Sequence, residues 1–349
     1  MRPFLASVEL AAYPAMATPT RRRELGRGER VLPGVWRLRL PLPWPGVPHG
    51  NAWALAAGDG IVLVDTGYHD AGSMAHLERA LAMVNLRIEH VRLVVCTHAH
   101  TDHYGEAATI VDRTGCELWM HPNHEHMTRA ATDPEAWFDR RLEVARQSGV
   151  SEKAIADYAK TRRSQGFGIA RIIEPDRALL PGVEVETDLG TWQVIETPGH
   201  APSHVCLFQP ERRLLISGDH LLGRVSLYYD YGHTPDPAGE FLASLDKVED
   251  LDARLALPGH GRTFTDVRAH IHANRNLVAE RVQRALEAIE RESLTVIEVQ
   301  PHVHGEAMTA ATGNWYLSET LVYLRHLEMT GRAHREPGEP ERWRATPAA

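Results

Sequence analysis

The stretch VRLVVCTHAHTDH, residues 91–103, is the most informative part of the sequence for both fold and chemistry. Its first half is a continuous apolar run of strand length, which is typical of a buried strand. The run leads directly into three imidazoles and one carboxylate, those of His98, His100, Asp102 and His103. Imidazole and carboxylate ligands together suit zinc, iron or manganese. The sequence therefore predicts a buried strand that ends at a cluster of metal ligands.

Three later segments have the same character, because each is a strand-like run that delivers one further candidate ligand. They are WQVIETPGH, which ends at His200, RRLLISGD, which ends at Asp219, and LALPGH, which ends at His260. Upstream, GIVLVDTG places Asp65 at the end of another strand candidate. Since strands of one sheet end on a common edge, their last residues can converge although they are far apart in the chain.

The motifs VDTG, HAHTDH, TPGH, SGD and PGHG occur here in an order that resembles the metallo-β-lactamase superfamily of binuclear metallohydrolases. The resemblance covers residues 31–265. Asp219 and the complete HxHxDH pattern point away from the true β-lactamases, which typically carry a cysteine at the position of Asp219. They point toward the hydroxyacylglutathione hydrolase-like branch, although the basic residues that bind glutathione there are not matched.

The resemblance implies a role for each motif residue. His98, His100 and His200 would hold a first metal, Asp102, His103 and His260 a second, and Asp219 would bridge the two. Asp65 and His204 would orient metal ligands. The implied cofactors are two divalent metals, with zinc favoured and iron or manganese as alternatives. They would share a bridging hydroxide that attacks a carbonyl carbon, and Asp102 would relay a proton to the leaving group.

The fold class implied by the resemblance is α/β, as a four-layer αββα sandwich with a helical insertion. The segments VWRLRLPLP, WALAAG and GIVLVDTG predict a β-meander at its start. We divide the chain into a flexible N-terminal tail (1–29), a catalytic domain (30–268) with a helical cap inserted at about 124–175, and a C-terminal domain (269–349). The last has the order helix, helix, helix and two-stranded ribbon, which is typical of a winged-helix module.

Composition excludes several classes of protein. The 349 residues are 43% hydrophobic and 24% charged, which is ordinary for a globular protein and unlike a disordered one. Three cysteines do not form a disulfide framework, and no apolar stretch is long enough to span a membrane. We expect a soluble, cytoplasmic protein, and we interpret its first residues as a tail rather than an export signal.

The expected substrate is a small molecule with an ester, thioester, lactone or amide bond. Trp137 in the insertion and Tyr229 after the bridging aspartate are candidates for contacting it, with the core of a small cap as the alternative role for these aromatics. The segment His121–His126 is interpreted as the start of a helix near the cavity rim, with substrate contact or adventitious metal binding as alternatives.

Two other functions use the same scaffold. A metal pair can hydrolyse phosphodiesters, as in nuclease relatives that also carry a C-terminal winged helix. However, the formal net charge is −8, and residues 271–349 contain nine arginines against eleven glutamates, so no nucleic-acid partner is expected. The tail module is instead interpreted as a packing or homodimerisation element. A persulfide dioxygenase with a single iron is the other alternative, and the full ligand set for two metals favours hydrolysis.

Overall fold

The computed structural model describes residues 25–347 except 45, 163–165, 225–226 and 306–312. Its first sheet has seven strands that lie side by side in chain order. They are β1 (Arg27–Leu32), β2 (Val35–Trp44), β3 (Val47–Ala57), β4 (Gly60–Val64), β5 (Val91–Cys96), β6 (Glu117–Met120) and β7 (Arg177–Ala178). Strands β1 to β4 are antiparallel, which confirms the predicted meander, and β4 to β7 are parallel.

The second sheet has five strands in the order β12-β11-β10-β9-β8. They are β8 (Glu184–Thr187), β9 (Gly190–Glu196), β10 (Val205–Gln209), β11 (Leu214–Gly218) and β12 (Leu255–Pro258). All neighbours are antiparallel except β11 and β12, which are parallel. Parallel pairing brings the carboxyl ends of β11 and β12 to the same edge, and these ends lead to Asp219 and His260.

Ten α-helices complete the described chain. They are α1 (Ser73–Ala82), α2 (Thr101–Tyr104), α3 (Ala107–Thr114), α4 (Glu125–Thr132), α5 (Pro134–Gln147), α6 (Glu152–Arg162), α7 (Pro237–Asp250), α8 (Val267–Arg291), α9 (Val296–His304) and α10 (Gly313–Met329). A hairpin of β13 (Ala333–Glu336) and β14 (Arg342–Ala345) follows the last helix. Helices α4 to α6 occupy the segment predicted as a helical insertion, of which residues 163–165 lie outside the described part.

The central strands of both sheets are buried on both faces, and strand alternation explains how. On β10, Val205 and Leu207 point into the core between the sheets, whereas Cys206 and Phe208 point into the core beneath α7 and the C-terminal helices. On β5, Val95 points between the sheets and Val94 points toward α1 and α3. The order of layers is therefore helix, sheet, sheet, helix, which confirms the predicted α/β fold class.

The structure corrects the N-terminal boundary. Strand β1 begins at Arg27 and pairs with β2, so three residues of the predicted tail, 27–29, belong to the first sheet. The sequence pattern missed this strand because it lies at the sheet edge and is largely exposed, so main-chain pairing rather than apolar burial defines it. Residues 1–24 of the predicted tail lie outside the described residues.

The C-terminal elements have the order that the sequence predicts, three helices and then a two-stranded ribbon. Their assignment as a winged-helix module stays a prediction. Their apolar residues share one core with α7 and the outer face of the second sheet. Among the helices that the structure describes, none combines the length and apolar character needed to cross a lipid bilayer.

Candidate metal centre

The HAHTDH motif lies where β5 gives way to helix α2. Strand β5 ends at Cys96, an extended loop carries His98 and His100, and α2 places Asp102 and His103 in its first turn. The side chains of these four residues are buried. His200, Asp219 and His260 join them from the segments that follow β9, β11 and β12. The predicted ligands therefore converge, but from two sheets rather than from one edge of a single sheet, because β5 belongs to the first sheet and β9, β11 and β12 to the second.

Three imidazoles form what we call the first group: His98, His100 and His200. The Nε2 atom of His98 lies 3.0 Å from Nδ1 of His100 and 3.2 Å from Nε2 of His200. The distance between Nδ1 of His100 and Nε2 of His200 is 3.0 Å. Ligand nitrogens about 2.0–2.1 Å from a tetrahedral zinc ion would be about 3.3 Å apart. The triangle therefore has the size that one metal ion requires.

The second group consists of Asp102, His103 and His260. Oδ2 of Asp102 lies 3.1 Å from Nε2 of His260 and 3.5 Å from Nε2 of His103. Burial disfavours the charged form of Asp102, but His103 and His260 outweigh it and lower the pKa of this carboxyl. The second group therefore offers an ionised oxygen and two nitrogens to a cation.

Asp219 contacts residues of both groups. Its Oδ2 lies 3.2 Å from Nε2 of His260 and 3.8 Å from Nε2 of His200, and its Oδ1 lies 3.5 Å from Nε2 of His103. Burial opposes ionisation, yet His260 and His103 hold the pKa of Asp219 well below its usual range. A single carboxylate thus lies between the two groups, which is the position of a bridging ligand.

Asp65 fixes the orientation of His103. Its Oδ2 accepts a hydrogen bond from Nδ1 of His103 at 2.8 Å, and its Oδ1 accepts one from the backbone N–H of Thr97 at 2.7 Å. The first bond leaves Nε2 of His103 facing the second group. Asp65 has a positive φ of 65°, a strained conformation for a residue other than glycine. This is the orienting contact that the sequence predicts for Asp65.

His204 lies behind Asp219 and not in either group. Its Nε2 accepts a hydrogen bond from the backbone N–H of Asp219 at 3.0 Å, and its Nδ1 lies 2.7 Å from Oγ1 of Thr197. Burial and the nearby His200 and His220 lower its pKa well below the ordinary value. A neutral His204 therefore holds the backbone at Asp219 in place.

Two observations show that these residues fit metal ions. Burial and neighbouring imidazoles lower the pKa of His98 well below its ordinary value and that of His200 to about 4, so neutral rings converge. In the part of the chain that the structure describes, Nε2 of His103 and Oδ1 of Asp219 are buried without a hydrogen-bond partner. Buried polar atoms of this kind require a ligand, and a cation between them supplies one.

Comparison with known proteins identifies the family. The sequence profile of the metallo-beta-lactamase superfamily matches residues 45–260, which contain both groups and Asp219. The chain belongs to the metallo-beta-lactamase superfamily. This confirms the family resemblance inferred from the five motifs, whereas the hydroxyacylglutathione hydrolase-like branch stays a prediction.

Individual proteins resemble the chain over different shares of its length. The probable metallo-hydrolase YqjP of Bacillus subtilis is 26% identical over 261 residues, 70% of this chain and 77% of that protein. The metallo-beta-lactamase family protein TTHA1429 of Thermus thermophilus superposes with a TM-score of 0.78 at 27% identity, over 91% of this chain and all of that one. An atrochrysone carboxyl ACP thioesterase of Aspergillus chevalieri is 29% identical over 43% of this chain and 52% of its own.

The structure corrects one of the two predicted substrate contacts. Tyr229 is 0% exposed and packs in the core against Phe241 and Tyr323, so it does not line the site. Its neighbour Tyr228 takes that place, with its ring 5.9 Å from His100 and 5.7 Å from His200. Consecutive residues face opposite ways, and no periodic pattern in this segment shows which one faces the metal ligands.

Trp137 lies on α5, half-buried, with its ring 5.5 Å from Phe167 and beneath the guanidinium of Arg141. These contacts are within the insertion, and a role in substrate contact stays a prediction. Sequence reasoning also missed Asp230, whose carboxylate lies 3.5 Å from Nε2 of His100. It lies in an irregular segment and not after a strand, so the strand-end pattern does not mark it as part of the site.

Proposed function

We propose that this superfamily member is a hydrolase with two divalent metals that cleaves an ester, thioester, lactone or amide bond of a small molecule. The observation that carries the proposal is the position of Asp219, within 3.8 Å of ligand atoms in both groups. A carboxylate placed in this way brings two cations close together. When bound, such a pair supplies Lewis acidity and lowers the pKa of a bound water toward 7.

Zinc is the metal that we propose, with iron and manganese as alternatives. The first group offers only imidazole nitrogens, and the second mixes two imidazoles with a carboxylate. Nitrogen ligands with few carboxylates and tetrahedral spacing favour zinc over the hard cations calcium and magnesium. Metal supply in the cell also affects which ion occupies such sites.

The protein's own residues supply proton transfer and orientation. The carboxylate of Asp102, whose Oδ2 faces His260 and His103, is the group that we propose accepts a proton from the attacking water and passes it to the leaving group. During this transfer, Asp65 holds the ring of His103 in its orientation, and His204 holds the backbone of Asp219. Tyr228, whose ring packs beside two ligands of the first group, borders the space where the carbonyl would bind.

The test measures metal content per chain on protein purified without added metal, followed by a panel of thioesters, lactones, β-lactams and phosphodiesters on the same sample. Two metals per chain and turnover of a carbonyl substrate are the expected results. Asp219→Asn should lose metal and turnover, whereas Asp112→Asn, an exposed aspartate paired with Arg171, should retain both. One iron per chain with oxygen consumption on a persulfide, or turnover of phosphodiesters alone, would contradict the proposal.

A further inference from the structure

A cluster of buried polar side chains lies behind the first group. Nδ1 of His126, on α4, lies 2.7 Å from Oδ2 of Asp230, and Nε2 of the same ring lies 2.8 Å from Oγ of Ser203. Oγ of Ser203 accepts a hydrogen bond from the backbone N–H of Ala99 at 3.1 Å. All three side chains are at least nine-tenths buried. We call these residues, Asp230, His126 and Ser203, the Asp230 cluster.

The hydrogen bonds of the Asp230 cluster have one consistent direction. The carboxylate of Asp230 accepts hydrogen bonds and donates none, and its Oδ2 lies 2.7 Å from Nδ1 of His126. His126 therefore donates from Nδ1 to Asp230, and Nε2 of the neutral ring is then the acceptor. The hydroxyl of Ser203 donates to that nitrogen and keeps a lone pair for Ala99.

The cluster holds the first group at two points. Oδ2 of Asp230 lies 3.5 Å from Nε2 of His100, on the side of the ring away from Nδ1, which faces His98 and His200. A carboxylate at the distal nitrogen of a ligand imidazole fixes the tautomer and orientation of the ring. Ser203 meanwhile holds the backbone at Ala99, between His98 and His100. Both the ring and the loop that carries it are thus fixed.

We propose that Asp230 is a positioning residue for the first group, held in place by His126 and Ser203. Its 3.5 Å contact with His100 is longer than the 2.8 Å hydrogen bond between His103 and Asp65, but in both cases an aspartate lies at the distal nitrogen of a ligand imidazole. This inference rests on the proposed function, because it presumes that the first group binds a metal. Engagement of both nitrogens of His126, at 2.7 and 2.8 Å, favours this role over a third metal site at His100, His126 and Asp230.

The test uses full-length protein in two backgrounds that each retain one group. His260→Ala removes a ligand of the second group, and His200→Ala removes a ligand of the first. In each background, Zn²⁺ affinity is measured by competition with a chelator, with and without Asp230→Asn. We expect Asp230→Asn to weaken Zn²⁺ binding about 10–100-fold in the His260→Ala background and to leave it unchanged in the His200→Ala background.

The contrast between the backgrounds separates positioning from general loss of stability, which would weaken binding in both. Asp112→Asn is the matched control and should change neither affinity. Equal affinities with and without Asp230→Asn in the His260→Ala background would overturn this inference alone, provided that the unmodified protein binds two metals. Three metals per chain in the unmodified protein would also overturn it, in favour of a metal at the cluster. Failure of the unmodified protein to bind metal would instead refute the proposed function.

Discussion

Among single residues, Gly259 constrains the metal ligands through its lack of a side chain, because a methyl group there would lie 2.1 Å from Oδ1 of Asp219 and 2.7 Å from Cε1 of His103. The backbone of the PGHG motif passes so close to the ligands that no side chain fits. We expect Gly259→Ala to displace Asp219 and to lower the metal content per chain, with an overpacking cost of about 1–3 kcal/mol in stability. Metal analysis and urea unfolding would measure both effects.

Gly166→Ala is the control for that substitution, because a methyl group there meets no described atom within 4 Å. It should leave both the metal content and the unfolding midpoint unchanged. A Gly259→Ala protein with two metals per chain and unchanged stability would show that the ligands do not depend on this close approach.

The raised pKa values of the His260 and His103 imidazoles predict that metal binding releases protons. Burial opposes protonation of His260, but Asp219 and Asp102 outweigh it and raise its pKa to about 10, and the pKa of His103 is also raised well above its ordinary value. Both rings are therefore protonated in the metal-free protein at neutral pH, whereas a ligand imidazole must be neutral. Metal affinity should rise as pH increases from about 6 to 9.

Calorimetric titration of the metal-free protein in buffers of different ionisation enthalpy measures this release directly. The observed heat should vary with the buffer, and the slope gives the number of protons released. His260→Ala should lower that number, since one protonated ring is then absent. A heat that is independent of the buffer would contradict the prediction.

Among the helices and strands, α10 supports the segment that carries Tyr228 and Asp230. Oγ of Ser318 donates to the backbone oxygen of Tyr229 at 2.6 Å, while the backbone oxygen of Tyr228 accepts from Nδ1 of His200 at 2.9 Å. We expect Ser318→Ala to cost about 1–3 kcal/mol in the free energy of unfolding, because it leaves a buried carbonyl without its donor. Urea unfolding of the metal-free protein measures this cost.

Thr330→Ala is a suitable control, because the Thr330 hydroxyl donates to the backbone oxygen of His326 in an exposed position. It should change the free energy of unfolding by no more than about 0.5 kcal/mol. Equal effects of the two substitutions would mean that the contact between Ser318 and the Tyr229 backbone does not stabilise the segment.

Strands and the ligands after them can be predicted from the sequence where a ligand follows an apolar run. Strand β5 and the short strands β11 and β12 are mostly apolar, and Asp219 and His260 lie within two residues of the ends of β11 and β12. Asp230 and Tyr228 could not be found in this way, because they lie in an irregular segment without periodicity. The choice between Tyr228 and Tyr229 depends on backbone direction alone, which tertiary contacts with α10 determine.

Over the chain as a whole, the C-terminal elements are part of one core with the second sheet. The cluster joins Phe208 of β10 and Phe241 of α7 to Val278 of α8 and Leu324 of α10. The sequence analysis interprets this part of the chain as a packing or homodimerisation element, a role that would leave the metal centre independent of it. Because α10 also holds the Tyr228–Asp230 segment, the structure changes that expectation.

We predict that a fragment of residues 25–266 loses both solubility and metal binding. It would expose the apolar residues that pack against α8 to α10 in the full chain. It would also lack the hydrogen bond from Ser318 to the backbone oxygen of Tyr229. Expression, light scattering and metal analysis of the fragment, beside the full chain, test this. A soluble fragment that binds two metals with the affinity of the full chain would contradict the prediction. Homodimer formation by the full chain stays a prediction that light scattering also checks.

His126 belongs to the inserted helices, yet it hydrogen-bonds to the aspartate beside His100. The insertion is therefore not a separable module that can be exchanged to change substrate preference while the catalytic core stays as it is. When the insertion changes during evolution, the new sequence has to provide a hydrogen-bond donor for Asp230 in place of His126. In engineering, a graft should keep α4 and also α5, because Arg141 of α5 interacts with Asp230 and with the side chain of Tyr228.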